Sequence, residues 1–167
     1  MYPGERFNSI SHLAGALLAT AGTAVLVTLA ARLGDAWKVV AFSVYGAMLV
    51  ALYAASTAYH SVRRRSLKNV LQKLDHCSIY LLIAGSYPPF ALVSLRGPWG
   101  ETLFGVVWGL ALLGVVQELC WARGARVSSL ALYILMGWLA LVGVGPLWRA
   151  LTPGGQALDF AAYQGFY

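Results

Sequence analysis

Apolar residues come in five long runs separated by short polar stretches. The runs cover residues 10–31, 39–59, 74–95, 102–121 and 130–147. Each is close to the ~20 residues that carry a helix across ~30 Å of hydrocarbon. They are continuous and do not alternate with polar residues, as the strands of a membrane barrel would. A helix also satisfies its own backbone hydrogen bonds where lipid excludes water. The pattern predicts an all-α, polytopic membrane helix bundle of five transmembrane helices, as one domain over residues 1–167. The polar connections are short, so consecutive helices should be antiparallel neighbours.

Two features inside the runs change local expectations. Pro88 and Pro89 interrupt the third run. Proline removes a backbone donor and clashes with the preceding turn, so a kink or break is expected there. Gly105 and Gly109 form a G-x-x-x-G spacing, which predicts close packing against another helix.

Composition agrees with the pattern. The chain is 59% apolar and 11% charged, where globular chains carry roughly 25% charged residues. Mean hydropathy is +0.68. A soluble domain could not bury this much apolar surface. The net charge of +6 does not point to nucleic acid, because the basic residues lie mostly in short loops between apolar runs. There they orient the chain. Eight lie on the side of the N-terminus and the second and fourth loops, against four on the other side. The positive-inside rule then places the N-terminus in the cytosol. Cys77 and Cys120 are far apart and form no C-x-x-C pattern, so nothing argues for a disulfide or a zinc ribbon. The start MYPGERFNSISH lacks the layout of a cleavable signal peptide.

The polar residues near the run ends are unevenly distributed. Asn8, Ser11 and His12 open the first helix. Ser56 and His60 close the second, and Asp75 and His76 open the third. Gln117 and Glu118 close the fourth, and Ser128 and Ser129 precede the fifth. All belong to the cytosolic side. Ser56 and His60 are i and i+4, on one helix face, and Asn8, Ser11 and His12 share a face likewise. Ionisable groups inside a membrane are costly unless paired or hydrated, so the set marks a candidate site. It favours a one-sided site over a channel, since a pore needs polar groups through both leaflets.

Several stretches carry a resemblance. They are E-x-x-N-x-x-S-H at Glu5–His12, YAASTAYHS at 53–61, LDHCSIYLLIAGSYPPF at 74–90, RGPWG at 96–100, GVVWGLALLG at 105–114 and LYILMGWLAL at 132–141. Together they resemble the hemolysin III family, the bacterial branch of the progestin and adipoQ receptor group. The resemblance implies a seven-helix protein of the bacterial inner membrane with a zinc site near the cytosolic face. It implies His60 as a zinc ligand, Asp75 near the metal-bound water, and Ser56 as the serine of the same motif. Neutral imidazole suits zinc, and a zinc-bound water can attack an amide carbonyl. Asp75 would orient or deprotonate that water. The implied partners are membrane lipids and a lipid-like substrate. The family name points instead to cytolysis through pore formation, and an inactive remnant is a third reading.

The sequence departs from the family at one place. The family's other two zinc ligands come from an H-x-x-x-H motif on its last helix. This chain has three histidines, His12, His60 and His76, and none forms that motif. After LTPGG the chain reads QALDFAAYQGFY, too short for two further spans. A truncation after the fifth helix is expected, with weak or no zinc binding unless His76 or Cys77 substitutes.

Overall fold

The computed structural model describes residues 4–120 and 126–151. The helices are α1 (Arg6–Arg32), α2 (Ala36–Ser61), α3 (Arg65–Gly85), α4 (Pro98–Cys120) and α5 (Arg126–Leu151). A π-helical segment, Pro89–Ser94, lies between α3 and α4. Five helices, counting α3 together with that segment, are long and apolar enough to cross a membrane. No strand occurs among the described residues. The protein is an all-α integral membrane bundle. The LTPGG stretch beyond Leu151, the QALDFAAYQGFY tail, and loop residue Arg123 lie outside the described residues.

The helices run past the apolar spans. The membrane decides where apolar residues stop, whereas backbone bonding continues until a turn residue or proline ends it. Gly34, at φ +69°, turns the chain after α1. Asp35 then caps α2, accepting from the backbone N–H groups of Trp37 at 3.0 Å and Lys38 at 3.2 Å. α3 begins at Arg65 rather than near Leu74, so most of the expected second loop is helical.

The two prolines break the third span. Along a continuous helix, residue 88 would donate to Ala84 and residue 89 to Gly85, and proline has no N–H to do so. The Ala84 carbonyl instead accepts from Tyr87 N–H at 3.2 Å. The chain resumes with wider turns, and Leu95 N–H reaches five residues back to the Phe90 carbonyl at 2.8 Å.

The core lies among α3, α4 and α5. Tyr80, Ala84, Tyr87, Leu103, Val107, Ala111 and Met136 form its buried cluster. The Tyr87 hydroxyl donates to the Met136 carbonyl. Close approaches depend on glycine. A Cβ on Gly114 would fall 2.2 Å from the Tyr80 ring, and one on Gly100 would fall 1.9 Å from the Ala91 carbonyl oxygen. The start of α4 is thus seated directly on the π segment. The packing expected of Gly105 and Gly109 is not seen: a Cβ at either position would meet nothing within 4 Å. α4 turns that face away from the other described helices.

α1 packs against α2, with Gly15 under the Tyr53 ring and Gly46 against Thr23. Most large apolar residues of α1, including Leu17, Leu18, Val25 and Leu29, remain exposed. In a bilayer they face acyl chains, which is their natural solvent.

Candidate functional site at the polar end of the bundle

Antiparallel packing gathers the starts of α1, α3 and α5 and the ends of α2 and α4 at one end of the bundle. Glu5 is the residue before α1, and Glu5, Ser9 and His12 stand at i, i+4 and i+7, on one face. That face meets the end of α2. Ser9 is fully buried, and its hydroxyl lies 2.6 Å from the Ser61 hydroxyl. The His12 and His60 rings stack, with centroids 5.6 Å apart and an 8° interplanar angle. Tyr59 meets His60 edge-on at 4.8 Å, and Tyr53 lies 5.9 Å from His12.

Charge is concentrated beside this stack. The Glu5 carboxylate accepts a hydrogen bond from Lys68 of α3. It also lies 3.7 Å from His60 Nδ1, beyond hydrogen-bond reach. The bond from Lys68 holds the Glu5 carboxyl below its ordinary 4.5; partial burial opposes this, and the nearby charges of Lys68 and His60 reinforce it. The Nδ1 atoms of His12 and His60 are buried, with no hydrogen-bond partner.

Ser56 is buried one turn before His60. Asp75 is half-buried at the start of the apolar part of α3, and its carbonyl accepts from Ser78 Oγ at 2.6 Å. Among the described residues, no hydrogen bond or ion pair joins Ser56, His60 and Asp75 to one another. His60 is brought instead to His12, Glu5 and Tyr59. Glu5 enters the sequence reading only as the first residue of E-x-x-N-x-x-S-H, and neither it nor Lys68 is singled out there as a site residue. The i, i+4, i+7 face of Glu5, Ser9 and His12 was the available signal.

A second polar group occupies the same end, between α3, α4 and α5. His76 Nδ1 lies 2.8 Å from Glu118 Oε1. Ser129 Oγ donates to Glu118 Oε2 at 3.4 Å. Gln117 Nε2 donates to Ser128 at 2.9 Å and Ser129 at 3.2 Å. Tyr133 donates to the His76 carbonyl at 3.1 Å, and Lys73 to the Leu119 carbonyl at 2.9 Å. Every one of these side chains is held by a neighbouring helix.

The family described as "Haemolysin-III related" matches residues 2–167. The chain belongs to this haemolysin-III-related family. It is 39% identical to "Hemolysin-3 homolog" of Bacillus subtilis (strain 168) over 156 residues, covering 93% of this chain and 73% of that protein. It is 42% identical to "Hemolysin-3" of Bacillus cereus over 157 residues, covering 94% and 72%. "Monocyte to macrophage differentiation factor" of Homo sapiens is 28% identical over 137 residues, covering 78% and 56%. No solved structure matches.

Zinc is the metal that the haemolysin-III resemblance implies. A catalytic zinc takes three protein ligands and an open position. Among the described residues, no three His, Cys, Asp or Glu side chains are grouped to hold a metal ion. His60 and His12 stand together, but Glu5 is bonded to Lys68 and His76 is bonded to Glu118. The described residues therefore do not fit a complete zinc centre.

Proposed function

We propose that the chain acts at its polar end, on a lipid-like molecule, with that end and the N-terminus facing the cytosol of a bacterial inner membrane. The observation that supports this reading is one-sidedness. Glu5, His12, His60, Asp75, His76 and Glu118 are at one end, while Tyr80, Ala84, Leu103, Val107, Ala111 and Met136 fill the bundle beyond them. No polar stripe through both halves runs among the described residues, and a pore would need one.

The reaction class that suits the site is hydrolysis of a lipid amide. The Asp75 carboxylate is engaged by no described side chain, so it is open to a water molecule. As general base it would take a proton from that water as the oxygen attacks the carbonyl, and return it to the amide nitrogen as the C–N bond breaks, releasing a fatty acid and an amine. His60, set by the His12 stack and the Glu5 charge, would face the reacting group, with the Ser56 hydroxyl one turn away. Zinc bound at His60 belongs to this reading only if further donors come from outside the described residues, and no step here depends on it.

The relatives named "Hemolysin-3" favour a second reading, cytolysis. One experiment separates the two. The full chain is reconstituted in phosphatidylcholine vesicles containing a fluorescent ceramide and an entrapped dye. Amide cleavage without dye release, abolished by Asp75→Asn and His60→Ala, is expected. Dye release without cleavage would replace this reading with the cytolytic one. Zinc content of the same chelator-washed preparations, with and without His60→Ala, tests the metal.

A further inference from the structure

The opening turns of α3 combine a run of cations with an exposed apolar stripe. Residues 61–74 carry five basic side chains, Arg63, Arg64, Arg65, Lys68 and Lys73, and no carboxylate. They also carry an apolar face. Leu67, Val70 and Leu74 stand at i, i+3 and i+7, and they are 46%, 56% and 49% exposed. Arg65, Asn69 and Lys73, at i, i+4 and i+8, occupy the other side of the same turns.

Neither water nor hydrocarbon suits this segment. The apolar face is unfavourable in water, and the cations are unfavourable among acyl chains. The membrane boundary satisfies both, as it does for interfacial amphipathic helices. Length agrees. The stretch Arg65–Ser94 has 30 residues, and its unbroken α-helical part, Arg65–Gly85, has 21, roughly 32 Å on its own against ~30 Å of hydrocarbon before the π segment is added. Its polar beginning therefore lies at the head groups. The first turn of α3 contains no acidic residue to match the positive end of the helix dipole, so anions are favoured there on two counts.

We propose that the Arg63–Arg65 run and the opening turns of α3 form a docking surface for anionic phospholipid head groups. The arginines meet the phosphate, and Leu67, Val70 and Leu74 sink into the adjoining acyl region. Lys68, tied to Glu5, connects this surface to the start of α1. An anionic lipid held here would lie beside the His12–His60 stack. The surface is separate from Ser56, His60 and Asp75, and its occupancy does not depend on the reaction proposed above.

The test uses the full chain in neutral detergent micelles, which have no inside or outside and so remove any effect of topology. Native mass spectrometry counts bound phosphatidylglycerol against phosphatidylcholine at equal concentration. A preference of at least about fivefold for phosphatidylglycerol is expected, weakening with salt. Replacing all three arginines (Arg63→Gln, Arg64→Gln, Arg65→Gln) should abolish the preference. The matching lysine variant should keep it, which separates charge from misfolding. At matched ionic strength, inorganic phosphate should displace the lipid no more than chloride does. Equal retention of the two lipids, an undiminished preference in the glutamine variant, or displacement by inorganic phosphate beyond that by chloride at the same ionic strength would each overturn the proposal.

Discussion

The imidazole rings of His12 and His60 lie face to face, 5.6 Å between centroids and 8° from parallel. They join the first turns of α1 to the last turn of α2. Stacked ring pairs contribute about 0.5–1.5 kcal/mol beyond their buried area. A double-mutant cycle of His12→Ala and His60→Ala, read from unfolding of the detergent-solubilised protein, should therefore show a coupling of that order. Purely additive losses would mean the rings do not support one another.

Glu5 should make stability depend on pH. Its carboxyl sits below the ordinary 4.5, chiefly through the bond from Lys68. The folded protein thus binds this proton less readily than the unfolded chain. The stabilisation is complete above about 4.5, and it is lost as pH falls through the lowered folded value. The pair is partly exposed, so its size should be about 1 kcal/mol at most. Melting temperatures measured on acidification should fall less steeply for Glu5→Gln than for the natural chain.

Two glycines of α4 should respond oppositely to the same change. Gly100→Ala drives a methyl to 1.9 Å from the Ala91 carbonyl oxygen, and such overpacking costs about 1–3 kcal/mol or more. Gly105→Ala meets open space and gains up to about 1 kcal/mol of helix propensity. Thermal melts of the two variants should move in opposite directions. Equal losses would show that the Gly105 face is covered after all.

Glu118 should be replaceable by glutamine but not by alanine. It is buried between His76 Nδ1 and Ser129 Oγ. Alanine strips a partner from both, a loss of about 1–3 kcal/mol. Glutamine keeps the shape and one acceptor and should cost clearly less. Unfolding midpoints in detergent decide between them.

Orientation can be read chemically. In a chain with Cys120→Ser, leaving only the buried Cys77, Ser66→Cys should resist an impermeant maleimide in intact cells. It should react after permeabilisation. Ready labelling of intact cells would reverse the proposed topology.

The architecture was legible because lipid imposes a length and a composition on every crossing segment. Five runs of suitable length leave little freedom, and short connections force neighbouring helices to alternate. The gathering of polar groups at one end followed from the same alternation. Contacts within that end were not legible. Ser56 and His60 share a face by spacing, yet spacing within α2 cannot say whether His60 meets Asp75 or His12. The start of α3 was hidden because Arg65–Lys73 has the polarity of a loop, and its Leu67, Val70 and Leu74 stripe is only three residues long. Gly105 and Gly109 misled because a glycine spacing does not reveal whether its face has a neighbour.

The break at Pro88 and Pro89 has a mechanical consequence. An α-helix resists torsion because each turn is bonded to the next. Between Gly85 and Pro89 two of those bonds lack donors. Tyr87 alone bridges the gap: its N–H donates to the Ala84 carbonyl at 3.2 Å, and its own carbonyl accepts from Phe90 at 2.9 Å and Ala91 at 2.7 Å. The third span is two shafts joined through a single residue. Both halves are held by neighbours, the first through Lys73 and His76 to α4 and the second through Ala91 to Gly100, so bending of the span is concentrated at that one residue.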